Sequence, residues 1–400
     1  MSYEAARIKL IKPSPAITIS TEAKAMKAAG KPVIDLSIGE PDFETPDNIK
    51  QAAWDAMQRG ETRYTPPDGT PKLKDAVVEK FRRENGLSYS RENITCGNGA
   101  KQVIFNALMA TLEPGDEVLC PAPYWVSYTD MALLLGGTPK VVECGIDDGF
   151  KLAPEQLEAA ITPQTRWVFI NTPSNPSGAA YSQEELKALG DVLERHPRVL
   201  ILSDEIYEQI WYAEEPFTSF ATACPELADR TVIVNGVAKA YAMTGWRIGY
   251  AACPPALAKV MSKIQSQSTS NPCSVSQAAA VEALTGPQDF VEMAREEFRA
   301  RRDIVFAALK EIDDLNSIVP DGAFYAFPSL SALIGRKAAD GTVIADDTAF
   351  SRYLLASGHV AGVQGAAFGL SPAIRLSYAA SRAELSEAME RLKAAIAALD

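Results

Sequence analysis

Short apolar runs alternating with helical segments constrain this chain more than any other feature. Residues 33–38, 117–120, 140–144, 167–170, 199–202, 231–234 and 248–253 read as strands. Between several of them, residues 46–59, 72–83, 101–112, 154–160 and 184–193 read as helices, after a first helix over 20–29 that Gly30 ends. Several of the strand runs, such as 167–170 and 199–202, are continuously apolar rather than alternating, so both faces of the sheet must be covered, as helices cover a mainly parallel sheet. In such sheets ligands sit beyond the carboxyl ends of the strands.

Four hundred residues exceed one hydrophobic core, which predicts two domains. The composition changes near residue 286, where 286–312 reads as a long charged amphipathic helix. It leads to strands at 322–327 and 374–378 and to a terminal helix at 382–399. A net charge of −12 argues against nucleic acid and anionic membranes as partners. The six cysteines are widely spaced, only two histidines are present, and no C-x-x-C pair occurs. That excludes zinc spacing and favours buried thiols over a disulfide framework. The N-terminus shows no signal-peptide apolar region and no stretch is long enough to span a membrane, so a cytoplasmic protein is expected.

Several chemically capable residues fall at expected strand ends. Lys239 follows the apolar run 232–234 by a few residues, with Arg247 eight positions on. Ile94-Thr95-Cys96 leads into Gly97-Asn98-Gly99-Ala100 at a helix start, where free backbone N–H groups suit a phosphate. This is no Walker sequence. Asn175 lies in the turn-rich NTPSNPSG, and Asp204 ends the run at 199–202. Each feature alone fits an ordinary turn. Together they place an amine, an acid, an amide and a phosphate cradle along one sheet edge. A Schiff-base lysine, an acid to keep a pyridinium nitrogen protonated and a phosphate cradle match pyridoxal 5′-phosphate (PLP). Asp204 would hold the ring nitrogen's proton, Arg247 the phosphate, and Lys239 the cofactor and then the moving proton. Gly39, in the turn GEPD, reads equally as a plain turn or as backbone approaching a ligand. Tyr64 reads as a surface or interface residue.

The motifs SIGEPDFETP, RYTPPDGTPKLK, GNGAKQ, PYWVSY (in an expected aromatic-rich loop), NTPSNPSG, SDEIYE, NGVAKAYAMTGWRIGY and IRLSYA occur in order along nearly the whole chain. With them the chain resembles class I aminotransferases of PLP fold type I, in the bacterial aspartate aminotransferase branch. The resemblance implies an α/β fold: a large PLP-binding domain over 45–290 with a mainly parallel seven-stranded sheet, and a smaller α/β domain from 1–44 and 291–400. It implies Lys239 as the Schiff-base lysine and Asp204 as the partner of the ring nitrogen. Asn175 and Tyr207 would meet the ring's phenolic oxygen, and Trp125 would stack on the ring. Gly99, Ala100 and Arg247 would bind the phosphate, with Lys101 beside them. Tyr64 would reach the phosphate of a neighbouring subunit, which implies a homodimer with shared active sites. Arg375 would grip the substrate α-carboxylate, helped by Asn175 and the Gly39 backbone, and Lys101 would take a distal carboxylate. Lys12, with the segment KPSPAI, resembles the entry region of enzymes that make arogenate. Two positions depart from the pattern: Ala238 stands where relatives carry serine, and Thr129 where proline is common.

The expected reaction is transamination between aspartate and 2-oxoglutarate, with prephenate as a second amino acceptor. Alternatives on the same scaffold are an aromatic or broad-range aminotransferase and a PLP-dependent C–S lyase. A PLP-sensing transcription regulator is disfavoured, because the family pattern starts within the first residues and the charge is acidic.

Overall fold

The computed structural model describes residues 3–13 and 15–400, so Ser14 of the KPSPAI segment lies outside the described residues. In chain order the strands are β1 (Ile34–Asp35), β2 (Ile94–Gly97), β3 (Glu117–Ala122), β4 (Thr138–Glu143), β5 (Thr165–Asn171), β6 (Leu200–Asp204), β7 (Thr231–Gly236), β8 (Gly249–Ala252), β9 (Tyr325–Ala326), β10 (Val360–Ala361), β11 (Val363–Gln364) and β12 (Ile374–Ser377). Seven of them form one sheet in the order β2-β8-β7-β6-β5-β3-β4. The pairs among β3 to β7 are parallel, whereas β8 pairs antiparallel with both β2 and β7. Only β8 therefore runs against the rest. The carboxyl ends of β2, β5, β6 and β7 emerge on one edge, as expected from the strand pattern.

The apolarity of the central strands has its reason in packing. On β5, Trp167 and Phe169 join a cluster with Val103, Ile104, Ala258 and Met261 from helices Ala100–Thr111 and Pro255–Ser268. Val168 and Ile170, pointing the other way, join Leu186, Leu189 and Leu193 of helix Gln183–Glu194. Alternate side chains serve opposite faces, and both faces are buried. Local signals set the helix ends. Helix Pro71–Asn85 carries Pro71 in its first turn, and the Thr70 hydroxyl accepts from the Leu73 N–H at 3.2 Å. Gly86, at φ 67°, closes it. Helix Pro154–Ala160 has the bounds expected from sequence.

Three expectations are corrected. The strand expected at 33–38 shrinks to β1, because Asp35 Oδ1 accepts from the Ser37 N–H at 3.0 Å and turns the chain. The strand expected at 322–327 is only β9, since Ala323 has φ 58° and breaks extended geometry. The aromatic-rich loop PAPYWVSY is shorter than expected: helix Ser127–Leu134 starts inside it, burying Tyr128, Met131 and Ala132. Thr129 sits in that helix's first turn.

The remaining strands form a parallel pair, β1-β10, and an antiparallel sheet, β11-β12-β9. Helices Asp289–Lys310 and Arg382–Ala397 pack on them through Phe298, Leu309, Leu385 and Leu392. The same cluster includes Tyr207 and Ile210, which follow β6, so this smaller core is continuous with the edge of the large sheet. All six cysteines are free, and only Cys273 is exposed. Among the described residues no cluster of His, Cys, Asp or Glu could hold a metal, and no helix is long and apolar enough to cross a membrane.

Candidate active site

A cleft of about 450 Å³ lies beyond the carboxyl ends of β2, β5, β6 and β7. Its floor carries Asp204 and, beyond β7, Lys239. One side holds Gly99, Ala100 and Lys101 at the start of helix Ala100–Thr111, with Arg247 and Trp125. The other side holds Gly39, Asn175, Tyr207 and Arg375, and helix Pro15–Ala28 adds a wall with Ile17, Thr21 and Lys24.

Lys239 Nζ donates to the Gly39 carbonyl at 2.6 Å. Burial, and then the nearby Arg375 cation, lower its pKa to about 8. An amine in that range is a usable nucleophile and base near neutral pH. Asp204 is only 4% exposed. Burial raises its pKa to about 6, against the opposing effects of the Tyr128 hydroxyl and the Ile206 N–H. The Tyr128 hydroxyl donates to Asp204 Oδ2 at 2.6 Å, and the Ile206 N–H to Oδ1 at 3.3 Å. The carboxylate is thus fixed in place and gains from any cation placed before it.

Arg375 is buried, donating from Nη1 to Asn175 Oδ1 at 2.9 Å and from Nη2 to the Ser37 carbonyl. Its guanidinium lies 4.7 Å from the Tyr325 ring centroid and 4.9 Å from that of Phe368. Its Nε is buried and has no partner among the described residues. Asn175 is held in turn by Asn171, whose Oδ1 accepts the Asn175 N–H at 2.8 Å while its Nδ2 donates to the Asp204 carbonyl at 2.9 Å.

The phosphate cradle has a steric signature. Gly99 has φ 87°, and a Cβ there would lie 2.3 Å from Arg247 Nη2. Arg247 itself has φ 58° and donates to the Thr244 and Asn98 carbonyls at 2.8 and 3.2 Å, which aims it across the helix start. Lys101 Nζ lies 4.9 Å from the Trp125 ring centroid; lost hydration and then Arg247 lower its pKa. An amine, a buried carboxylate, an aromatic ring and a helix start with an arginine fit a pyridine ring bearing an aldehyde and a phosphate.

The family model for aminotransferase class I and II matches residues 31–392. The chain belongs to the class I and II aminotransferases. Among curated relatives, it is 54% identical to an aspartate/prephenate aminotransferase of Cereibacter sphaeroides over 399 residues, covering 100% of both chains. It is 55% identical to an aspartate aminotransferase of Rhizobium meliloti over 391 residues, 98% of this chain and 95% of that one. Among solved structures, the Rhizobium meliloti aspartate aminotransferase superposes with a TM-score of 0.97 at 54% identity, covering 100% of both chains. A Thermus thermophilus aspartate aminotransferase solved with maleate gives 0.92 at 40% identity, covering 99% of this chain and 100% of that one. The fold is thus the type I aminotransferase fold expected from the motifs.

Two residues named from sequence do not enter this aminotransferase's cleft. Tyr64 is 91% exposed and lines a separate cavity of about 730 Å³ with Arg63, Lys72 and Gln277. Lys12 is exposed and lies outside the cleft lining, acting electrostatically on Asp130. The sequence reading also missed Tyr128, Asn171 and Tyr325. Tyr128 was hidden by reading its segment as a loop, whereas it lies in the first turn of helix Ser127–Leu134.

Proposed function

We propose that this chain uses PLP to transfer the amino group of L-aspartate to 2-oxoglutarate, giving oxaloacetate and L-glutamate by a ping-pong route. The observation that carries the reading is one cleft with a buried arginine, Arg375, on one side, a lysine, Lys101, toward the other, and Lys239 and Asp204 between. A dicarboxylic amino acid presents one carboxylate to each cation and its Cα to the reactive amine. The names of the relatives and the maleate bound by the Thermus enzyme, itself a four-carbon dicarboxylate, support the same substrate class.

When bound, PLP supplies the carbonyl that captures the amino group and the ring that withdraws electrons from Cα. The chain's own groups do the rest. Asp204 would keep the ring nitrogen protonated, Asn175 and Tyr207 would hydrogen-bond the phenolic oxygen, and Trp125 would stack on the ring. Gly99, Ala100 and Arg247 hold the phosphate; Ala238 offers no hydroxyl there, so backbone N–H groups and Arg247 carry that load. Arg375 orients the α-carboxylate, and Lys239 Nζ takes the Cα proton and returns it. Tyr64 reaches the phosphate of a partner subunit, making the protein a homodimer with shared sites. Residues 45–290 act as the large domain, and 1–44 with 291–400 as the small one.

Prephenate is a second amino acceptor in this reading, giving arogenate. It is favoured by the aspartate/prephenate name of a relative aligned over the full chain. A panel of donors and acceptors tests both. Aspartate with 2-oxoglutarate is expected to turn over fastest, and glutamate with prephenate to yield arogenate. Release of pyruvate and ammonia from cystathionine in place of transamination would instead establish a C–S lyase.

A further inference from the structure

Tyr325 sits where three parts of the cleft meet. It is fully buried, on β9, and pairs in register with Ser377 of β12, the strand that carries Arg375. Its hydroxyl lies 2.7 Å from the Tyr207 hydroxyl, across from the smaller sheet to the loop after β6. Its ring carries the Arg375 guanidinium at 4.7 Å. A Cβ added to Gly39 would fall 2.1 Å from its oxygen, so the carbonyl-bearing turn that receives Lys239 is packed directly on this phenol.

A hydroxyl has one proton to give. Two phenols 2.7 Å apart can hydrogen-bond in either direction, and alone the pair has no fixed polarity. A strong acceptor beyond Tyr207 removes the ambiguity. If Tyr207 donates to that acceptor, its oxygen is free only to accept, and Tyr325 becomes the donor. Such a chain polarises itself, each bond strengthening the next.

From this geometry we infer that Tyr325 is a positioning residue: its hydroxyl donates to Tyr207 and so commits the Tyr207 proton to the phenolic oxygen of the cofactor. The inference rests on the proposed binding of PLP with its phenolic oxygen at Tyr207. It also gives Arg375 a second consequence. A cation on the face of the Tyr325 ring makes that phenol a better donor, so the group expected to hold the substrate also tunes the cofactor's oxygen through two phenols. Asp204, Lys239, Arg375, Tyr128 and Tyr378 are the titratable groups that bear on the pair.

The test is Tyr325→Phe, read by the pH titration of the visible absorption of the PLP-loaded protein rather than by turnover. Phenylalanine keeps the ring, its packing and the contact with Arg375. An oxygen that already accepts from Tyr207 holds its shared proton less tightly. A weaker Tyr207 donor lets that proton persist to higher pH. The absorption midpoint should therefore move upward, by about 0.3–1 pH unit for one lost hydrogen bond. In a Tyr207→Phe background the same change should move it by less than a third as much, because the relay is already cut. The thermal midpoint of the PLP-free protein reports folding separately. A midpoint that stays put in Tyr325→Phe, or moves equally in both backgrounds, would overturn the inference. Native protein that acquires no visible band with PLP, or whose band is unmoved by Tyr207→Phe alone, would instead refute the cofactor placement on which it rests.

Discussion

Replacing Asp204 with asparagine should make the PLP-free protein more stable near neutral pH, by a margin that grows as pH rises from 4 to 7. The ordinary aspartate pKa of 3.8 moves to about 6 in the folded chain because the carboxylate is buried. Between those two values the unfolded chain has released its proton while the folded one still holds it. Folding stability therefore falls as pH rises, and the loss is complete above the folded pKa. At 1.36 kcal/mol per pKa unit the full loss is about 3 kcal/mol; about 0.5 is felt at pH 4 and nearly all of it at pH 7. Asparagine carries no charge and escapes this. It has one carbonyl oxygen where aspartate uses two, accepting from Tyr128 on one and from Ile206 on the other. One contact is lost, at about 1 kcal/mol. The variant should thus gain about 2 kcal/mol over native apoprotein at pH 7 to 8. Urea unfolding of both apoproteins from pH 4 to pH 8 measures the difference, which should widen by about 2.5 kcal/mol across that range. Saturating PLP should reverse the ranking, since a ring-nitrogen cation stabilises only the aspartate. A difference that is flat with pH would show that Asp204 bears no burial penalty and that the reasoning is wrong.

Other outcomes follow from the same cleft. Lys239→Ala should still fold and bind PLP noncovalently while turnover drops at least about 10³-fold; near-normal turnover would sink the assignment of the reactive amine. Gly99→Ala places a Cβ 2.3 Å from Arg247 Nη2 on a backbone with φ 87°; PLP affinity, followed by fluorescence titration, should weaken about tenfold or more. Lys101→Gln should raise KM for aspartate about tenfold while leaving alanine or phenylalanine as donors within about twofold, and equal losses for all donors would remove Lys101 from distal-carboxylate recognition.

The large sheet was legible because its central strands are continuous apolar runs and several helices carry their own end signals, such as Thr70-Pro71 and Gly86 for helix Pro71–Asn85. The reactive residues were legible for a related reason: Asp204 and Lys239 follow such runs, and strand ends converge on one edge. The smaller sheets were not. Strands of two residues, as in β1 and β9, carry no periodicity, and their limits come from Asp35 turning onto Ser37 and from the left-handed Ala323. Helix Pro255–Ser268 escaped notice although Pro255 marks its first turn. Tyr128, Asn171 and Tyr325 could not be read from spacing, because each acts through a partner far away in sequence: Asp204 for the first two and Tyr207 for the third. Tyr64 is 91% exposed in the single chain, and the role proposed for it requires a second one.

Helix Pro15–Ala28 walls the cleft while burying only Ser20 and Ala23 of its own residues, and Ser20 ties it to Asp35 at 3.0 Å. Its cleft-facing positions Ile17, Thr21 and Lys24 carry almost no folding load, whereas the residues of the sheet edge are bound into the core. The catalyst is therefore modular. A library confined to those three positions would search new substrate side chains at little risk to folding or to the chemistry. Drift in the same positions gives natural selection a low-cost route from one amino donor to another.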